Sequence, residues 1–440
     1  MTVTTSHSPV NNTRQSYIDM LKGLSCQMLI YGHTITMHFG DANRAERIAF
    51  TLINLAPGLF FFASGMNVVN FYDAHGQQKN FRATPFYLLS ALALFVLSIA
   101  YSINRDNLYL MQIFQGVAMT TAFTYVLVRL RLPKWALAVV GIALYAFWLS
   151  RWQMMSGDLA RMRGLDPSII YDMLDPWIKS LPPAIRVLYL HFAFLPWVTF
   201  VILGAVWMRS RQQRPDRWPL WIILSVLSIF CGFVTLRMPR WRQPLLLDNV
   251  ADMLYRNVPF HFLVWLGLIG LFMLAAEFHY AGAGSLRSRP LRWLGGYLEL
   301  CGRESLTFFV WHWIVLIFVH APFYYLLVVG GIRFAGLAIH ATWIGTILVN
   351  MLVFPYVVRL GQRWRRRRFF TAQALMVWFF GTVLGYFALQ LPRAQTFSPL
   401  AIWFSFPACL AFAFLYPRVR EKLRGRFTDT PATGAAAQEN

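Results

Sequence analysis

The chain has 440 residues, of which 57% are hydrophobic and 13% are charged, whereas about 25% of an ordinary soluble domain is charged. It carries 40 Lys and Arg against 18 Asp and Glu, a formal charge of +22, and its mean hydropathy is +0.48. These figures exclude a soluble enzyme, a disordered protein and a disulfide scaffold, and they leave a polytopic helical membrane protein. A basic excess of this size would suggest nucleic acid in a soluble domain. In a membrane protein it is first a topology signal, because cytoplasmic loops collect Lys and Arg.

Residues 1–16 form a polar cytoplasmic segment without the basic stretch and apolar core of a cleavable signal. From residue 17 to 416 the pattern predicts an all-α, polytopic transmembrane domain of about 12 (10–12) helices, since a span needs about 20 mostly apolar residues. The segments are 17–38, 48–71, 84–103, 108–129, 134–152, 186–208, 218–236, 257–279, 302–327, 334–358, 371–391 and 397–416. Residues 290–301 read as a loop or as an interfacial helix.

With both termini cytoplasmic, the inward loops collect 23 basic residues, among them Lys79, Arg82, Arg129, Arg131, Arg209, Arg211 and the run Arg365 to Arg368. The short outward loops hold five: Arg44, Arg47, Arg105, Arg333 and Arg393. The longer segments 153–185 and 237–256 mix Arg with Asp and read as an extracytoplasmic cap. Residues 417–440 read as a basic, then disordered, cytoplasmic tail. The four cysteines, Cys26, Cys231, Cys301 and Cys409, lack metal-type spacing, and no metal site is expected.

Ionisable groups within apolar helices are costly and usually face a cavity or a partner. Asp19 and Lys22 lie at the inner end of the first segment, and His33 lies roughly 21 Å further out at about 1.5 Å per residue. Gln112, Gln115, His191, His261, His320 and His340 fall toward the outer half, and His312 near mid-membrane. Asn67, Asn70, Arg303 and Glu304 fall in the inner half. A lone His or Gln often only bonds a neighbouring helix. The set could instead line one outer cavity suited to substrate binding (Gln112, Gln115, His191 and His261) or to proton transfer, because imidazole titrates near neutral pH. Phosphate-loop, dinucleotide-binding, zinc-protease and nucleophile-elbow motifs are all missing.

Four blocks resemble the acyltransferase-3 family of membrane proteins. The first is Lys22 followed by ten residues and His33, with Asp19 and Gly23 also fitting. The second is the apolar run from Pro57 to Ser64-Gly65. The third is the pair Lys79 and Arg82 ahead of Pro85 and Phe86. The fourth, and most specific, is Gly302-Arg303-Glu304-Ser305 leading to Trp311-His312-Trp313. They stand in family order across residues 14–313. Residues 108–115 and 195–205 are closer to the related heparan-glucosaminide N-acetyltransferase-like branch. Lys22 stands where Arg is common in the family, and the mid-chain W-S-(L/I)-x-x-E segment of its sugar-modifying members is missing.

The resemblance implies acyl transfer from cytoplasmic acyl-CoA, most simply acetyl-CoA, to a hydroxyl or amine of an extracytoplasmic glycan or glycolipid at a bacterial inner membrane. It makes His33 the general base or a covalent acyl relay, with Asp19, Lys22 and His312 as further catalytic candidates. Lys79, Arg82, Arg303 and Ser305 become candidates for holding the donor. His312 is either a second proton carrier or a packing residue. Partners implied are acyl-CoA, the acceptor and the lipid bilayer, with no nucleic acid; a homodimer is compatible with this. The rival reading is a proton-coupled secondary transporter or flippase that uses the outer histidines as a proton relay.

Overall fold

The computed structural model describes residues 16–37, 53, 55–76, 78, 81–102, 113–159, 194–214, 217–235, 237, 259–281, 289–329, 338–389 and 399–428. They form helices throughout: α1 (Ser16–Met37), α2 (Leu55–His75), α3 (Ala83–Leu97), α4 (Ile99–Ser102), α5 (Ile113–Arg129), α6 (Lys134–Leu159), α7 (Phe194–Gln213), α8 (Trp218–Thr235) and α9 (Pro259–Ala281). There follow α10 (Arg289–Arg303), α11 (Ser305–Val315), a π-turn (Leu316–His320), α12 (Ala321–Val329), α13 (Ala338–Arg365), α14 (Phe370–Leu389) and α15 (Pro399–Phe427). A helix overlies each of the twelve apolar segments.

Six stretches among the described residues are long and apolar enough to cross a bilayer: 83–101, 218–235, 259–278, 305–326, 341–365 and 370–388. Their outward faces suit lipid. On α8 only Ser225 and Gly232 are buried, while Ile223, Leu227 and Phe230 are more than half exposed; apolar surface this extensive is unusual on a soluble monomer. Helices α1, α2, α5 and α7 fall outside that set and carry buried polar residues, including Ser25, Thr34, Ser64, Thr120, Thr121 and Thr199. Such small polar residues let helices approach and bond one another. Ser25 Oγ, for example, donates to the Ala56 carbonyl at 2.7 Å.

At the centre stands α1, packed against α2, α9, α10, α11 and α13. Hairpin α8–α9 meets it through α9, hairpin α14–α15 packs against α3, α4, α11 and α13, and α2 packs lengthwise on α7. Residues 290–301 are helical rather than a loop, with Arg292, Trp293, Leu294 and Gly296 exposed. They belong to α10, which runs antiparallel along α1: Gly302 meets the Asp19 carbonyl, Gly23 meets the Leu298 carbonyl, and Gln27 bonds Tyr297. Fifteen residues span only about 22 Å, too short for the hydrocarbon core of about 30 Å.

One face gathers the helix ends that the charge pattern groups together. Tyr17 at the start of α1 meets Met208 near the end of α7. Arg209 donates to the Val128 and Leu132 carbonyls between α5 and α6, Gln212 bonds Asp73, and Arg211 pairs with Glu277 of α9 at 2.6 Å. The Arg82 N–H donates to the Phe427 carbonyl at 2.9 Å, and Phe81 bridges to Thr428. Both described chain ends, Ser16 and Thr428, therefore lie on this face. The basic stretch 417–427 continues α15, and α13 reaches Arg365, so both helices run past their apolar segments. The 153–185 and 237–256 segments lie outside the described residues, apart from 153–159, which prolong α6, and residue 237.

Candidate functional site

The first and fourth of the sequence blocks meet. His33 on α1 stacks on His312 of α11, with ring centroids 5.3 Å apart and planes at 22°. Trp313 lies 4.5 Å from His33 and 5.3 Å from His312. His312 is fully buried, with Phe308 and Phe309 of the preceding turn at 6.3 and 6.1 Å. His33 is half-buried. The pair thus has one ring enclosed by aromatics and one partly accessible.

Geometry explains why two tryptophans bracket His312. Neighbouring side chains on an α-helix point about 100° apart, so Trp311 and Trp313 leave to either side of it. Trp311 Nε1 donates to Asn350 Oδ1 of α13 at 2.9 Å, and Trp313 Nε1 donates to the Tyr101 hydroxyl of α4 at 2.5 Å. Asn350 Nδ2 in turn donates to the Tyr297 hydroxyl at 3.0 Å, which also accepts from Gln27 Nε2 at 3.4 Å. Gln27 reaches Cys301 Sγ at 3.5 Å. This chain ties α1, α10, α11 and α13 together beside the histidines. Gln27, Tyr297 and Asn350 were not legible as site residues, because their partners lie 39 to 274 positions away in sequence.

Asn350 is fully buried, so Asn350→Leu leaves the Trp311 N–H and the Tyr297 hydroxyl each short of a partner at nearly unchanged volume. Interhelical bonds of this kind contribute about 0.6–2 kcal/mol. The variant is expected to unfold at a lower temperature than wild type in the same detergent; an unchanged unfolding temperature would show the chain to be dispensable.

Immediately beyond the pair comes the π-turn. His320 on it is buried, and its Nδ1 meets Thr346 Oγ1 of α13 at 3.3 Å. The Thr346 hydroxyl donates to the Thr342 carbonyl at 2.7 Å, so its oxygen accepts from His320, whose Nδ1 then carries the hydrogen. His261 is buried on α9 beside Phe260 and Trp265. Gln115 is buried on α5. Gln112, His191 and Lys79 lie outside the described residues, and the side chain of His340 is likewise outside them.

Near the start of α1, Asp19 is buried and Lys22 half-buried, and Ser305 is half-buried at the start of α11. Arg303 is exposed. Glu304 pairs with Arg365 of α13 at 3.7 Å rather than with Arg303. Arg82 is exposed beside the end of α15. Close by, burial holds the His75 imidazole below its ordinary pKa; the Gln78 hydrogen bond opposes that shift, and the Arg424 and Arg420 charges add to it. Burial would raise the Tyr72 hydroxyl, but hydrogen bonds and charge from Arg131 and Arg129 outweigh it and leave its pKa lowered.

Together these features define a helical membrane protein with a buried histidine pair in its core and a cationic face at one end. Comparison with protein-family models, with curated proteins and with solved structures gave no match to this chain.

Proposed function

We propose that the protein is an integral membrane acyltransferase that moves an acyl group, most simply acetyl, from cytoplasmic acyl-CoA to a hydroxyl or amine of an envelope or surface glycan. In this reading twelve helices span a bacterial inner membrane, both termini are cytoplasmic, and the cationic face is the cytoplasmic one. The observation that carries it is the stacking of His33 on His312, because these are the histidines of the two acyltransferase-3-like motifs, 279 positions apart in the chain.

The partly accessible His33 takes the proton from the acceptor as its oxygen or nitrogen attacks the thioester carbonyl. The carbon–sulfur bond then breaks, and His33 returns the proton to the leaving thiolate. His312 and Trp313 fix the plane of the reacting imidazole. Arg82, Arg303 and Ser305, with Lys79, supply cations and a hydroxyl for the phosphates of the donor, for which the guanidinium fork is suited. The first block places His33 roughly 21 Å along α1 from Asp19, so the thioester arm reaches inward from the basic face while the acceptor approaches from the opposite side.

The test is reconstitution of the purified protein in vesicles with radiolabelled acetyl-CoA on one side. Transfer of label to a glycan extract, or slow hydrolysis without acceptor, is the expected result. Failure of both, with substrate movement driven by a proton gradient alone, would replace the reading with that of a proton-coupled transporter.

A further inference from the structure

The most concentrated charge on the molecule sits in a turn that the acyl-transfer chemistry does not use. Residues 341–365 and 370–388 are both long and apolar enough to cross a bilayer, and only residues 366–369 separate α13 from α14. A connection of four residues cannot extend far into water, so Arg366, Arg367 and Arg368 stand at headgroup depth. The turn is ordered by Arg366 N–H to Arg363 carbonyl, Arg367 N–H to Trp364 carbonyl and Phe370 N–H to Arg367 carbonyl bonds. Beneath it, Trp364 donates to Gln373 Oε1 at 3.3 Å and packs edge-on against Phe370 and Phe414.

Topology alone needs fewer charges. The turn between α5 and α6 carries Arg129, Arg131 and Lys134, whereas residues 359–368 carry six arginines. Glu304 meets Arg365. Arg363, Arg366, Arg367 and Arg368 are exposed and pair with no acid among the described residues. The nearby end of α15 adds Arg418, Arg420, Lys422 and Arg424, of which Arg418 is paired with Glu421.

The face of α13 leading to this turn is amphipathic along its length. At 100° per residue, Leu348, Leu352, Tyr356, Arg359 and Arg363 fall within about 80° of one another. Leu352 and Tyr356 are 66% and 68% exposed, and the Arg359 guanidinium lies over the Tyr356 ring at 5.7 Å. The strip is thus apolar for about 12 Å and then cationic for about 6 Å. A free phosphate would use only its cationic end, whereas an anionic phospholipid matches both ends: acyl chains along Leu348, Leu352 and Tyr356, headgroup phosphate against Arg359, Arg363 and the turn.

We propose that the α13–α14 turn and this face of α13 form a binding site for an anionic phospholipid. Guanidinium forks engage a phosphodiester in bidentate fashion, and each basic residue near an anionic headgroup strengthens binding roughly fivefold.

Titration of the purified full-length protein with phosphatidylglycerol and with phosphatidylcholine, read by native mass spectrometry, tests this. Phosphatidylglycerol is expected to bind the wild type more tightly, and the triple variant Arg363→Gln, Arg366→Gln, Arg367→Gln is expected to bind it about a hundredfold more weakly. The corresponding triple Lys variant preserves the topology charge and should fall between the two. Glycerophosphoglycerol, the headgroup without chains, should compete poorly. Equal binding of the two lipids by wild type, an unaltered affinity in the Gln variant, or full competition by the headgroup alone would each overturn the proposal.

Discussion

His33→Ala is expected to lose about 10²–10⁴-fold in turnover, the usual contribution of a positioned general base, while unfolding at nearly the wild-type temperature. The two outcomes separate because of where the ring lies. His33 is half-buried, so truncation removes little packed volume and leaves His312 held from behind by Phe308 and Phe309. His312→Ala is a different experiment. Its ring is fully enclosed, so removing it opens a cavity between α1 and α11 and costs stability as well as rate. Initial rates of acetyl transfer and thermal unfolding, measured on the same preparations, read both quantities. His33→Ala with undiminished turnover ends its assignment as the base, and His312→Ala that is as stable as wild type contradicts the packing described for that ring.

How much of this was legible in the sequence depends on the range of the interaction. The helices were readable because a membrane span is written locally, as about 20 apolar residues bounded by charge. The histidine pair was readable as two motifs but not as a contact, since nothing local says that residue 33 meets residue 312. Helix α10 was the element left open. It is short and carries Arg292, Glu299 and Arg303 among Trp293, Leu294 and Tyr297, so it has neither the length nor the uniform apolarity of a span. What fixes its position is α1, against which one face of it lies. The same holds for Gln27, Tyr297 and Asn350: each is an ordinary polar residue on its own helix, and only their convergence makes a hydrogen-bonded chain. Glu304 and Arg303 are adjacent in sequence, but the helix start leaves Arg303 exposed and brings Glu304 toward Arg365.

Gly302→Ala is expected to lower stability by about 1–3 kcal/mol, the range for overpacking a close contact, and to cut turnover at the same time. An added Cβ at Gly302 would run into the Asp19 carbonyl, and one at Gly23 into the Leu298 carbonyl. Both obstacles are backbone, so no side chain can swing aside and the helices must separate. Gln27 holds Tyr297 at 3.4 Å and Cys301 at 3.5 Å, and a separation of α1 from α10 stretches both, the long bond to the Tyr297 hydroxyl having little reserve. The slack passes through Tyr297 and Asn350 to Trp311, next to His312, while α1 carries His33 with it. A shift of about 1 Å at a reacting pair can cost a hundredfold in rate. Gly296 on the same helix supplies the control. Nothing lies within 4 Å of a Cβ added there, and replacing an exposed helical glycine by alanine stabilises by up to about 1 kcal/mol. Thermal unfolding should therefore move in opposite directions for Gly302→Ala and Gly296→Ala. Should the two behave alike, the α1–α10 contact does not set the geometry of the histidine pair.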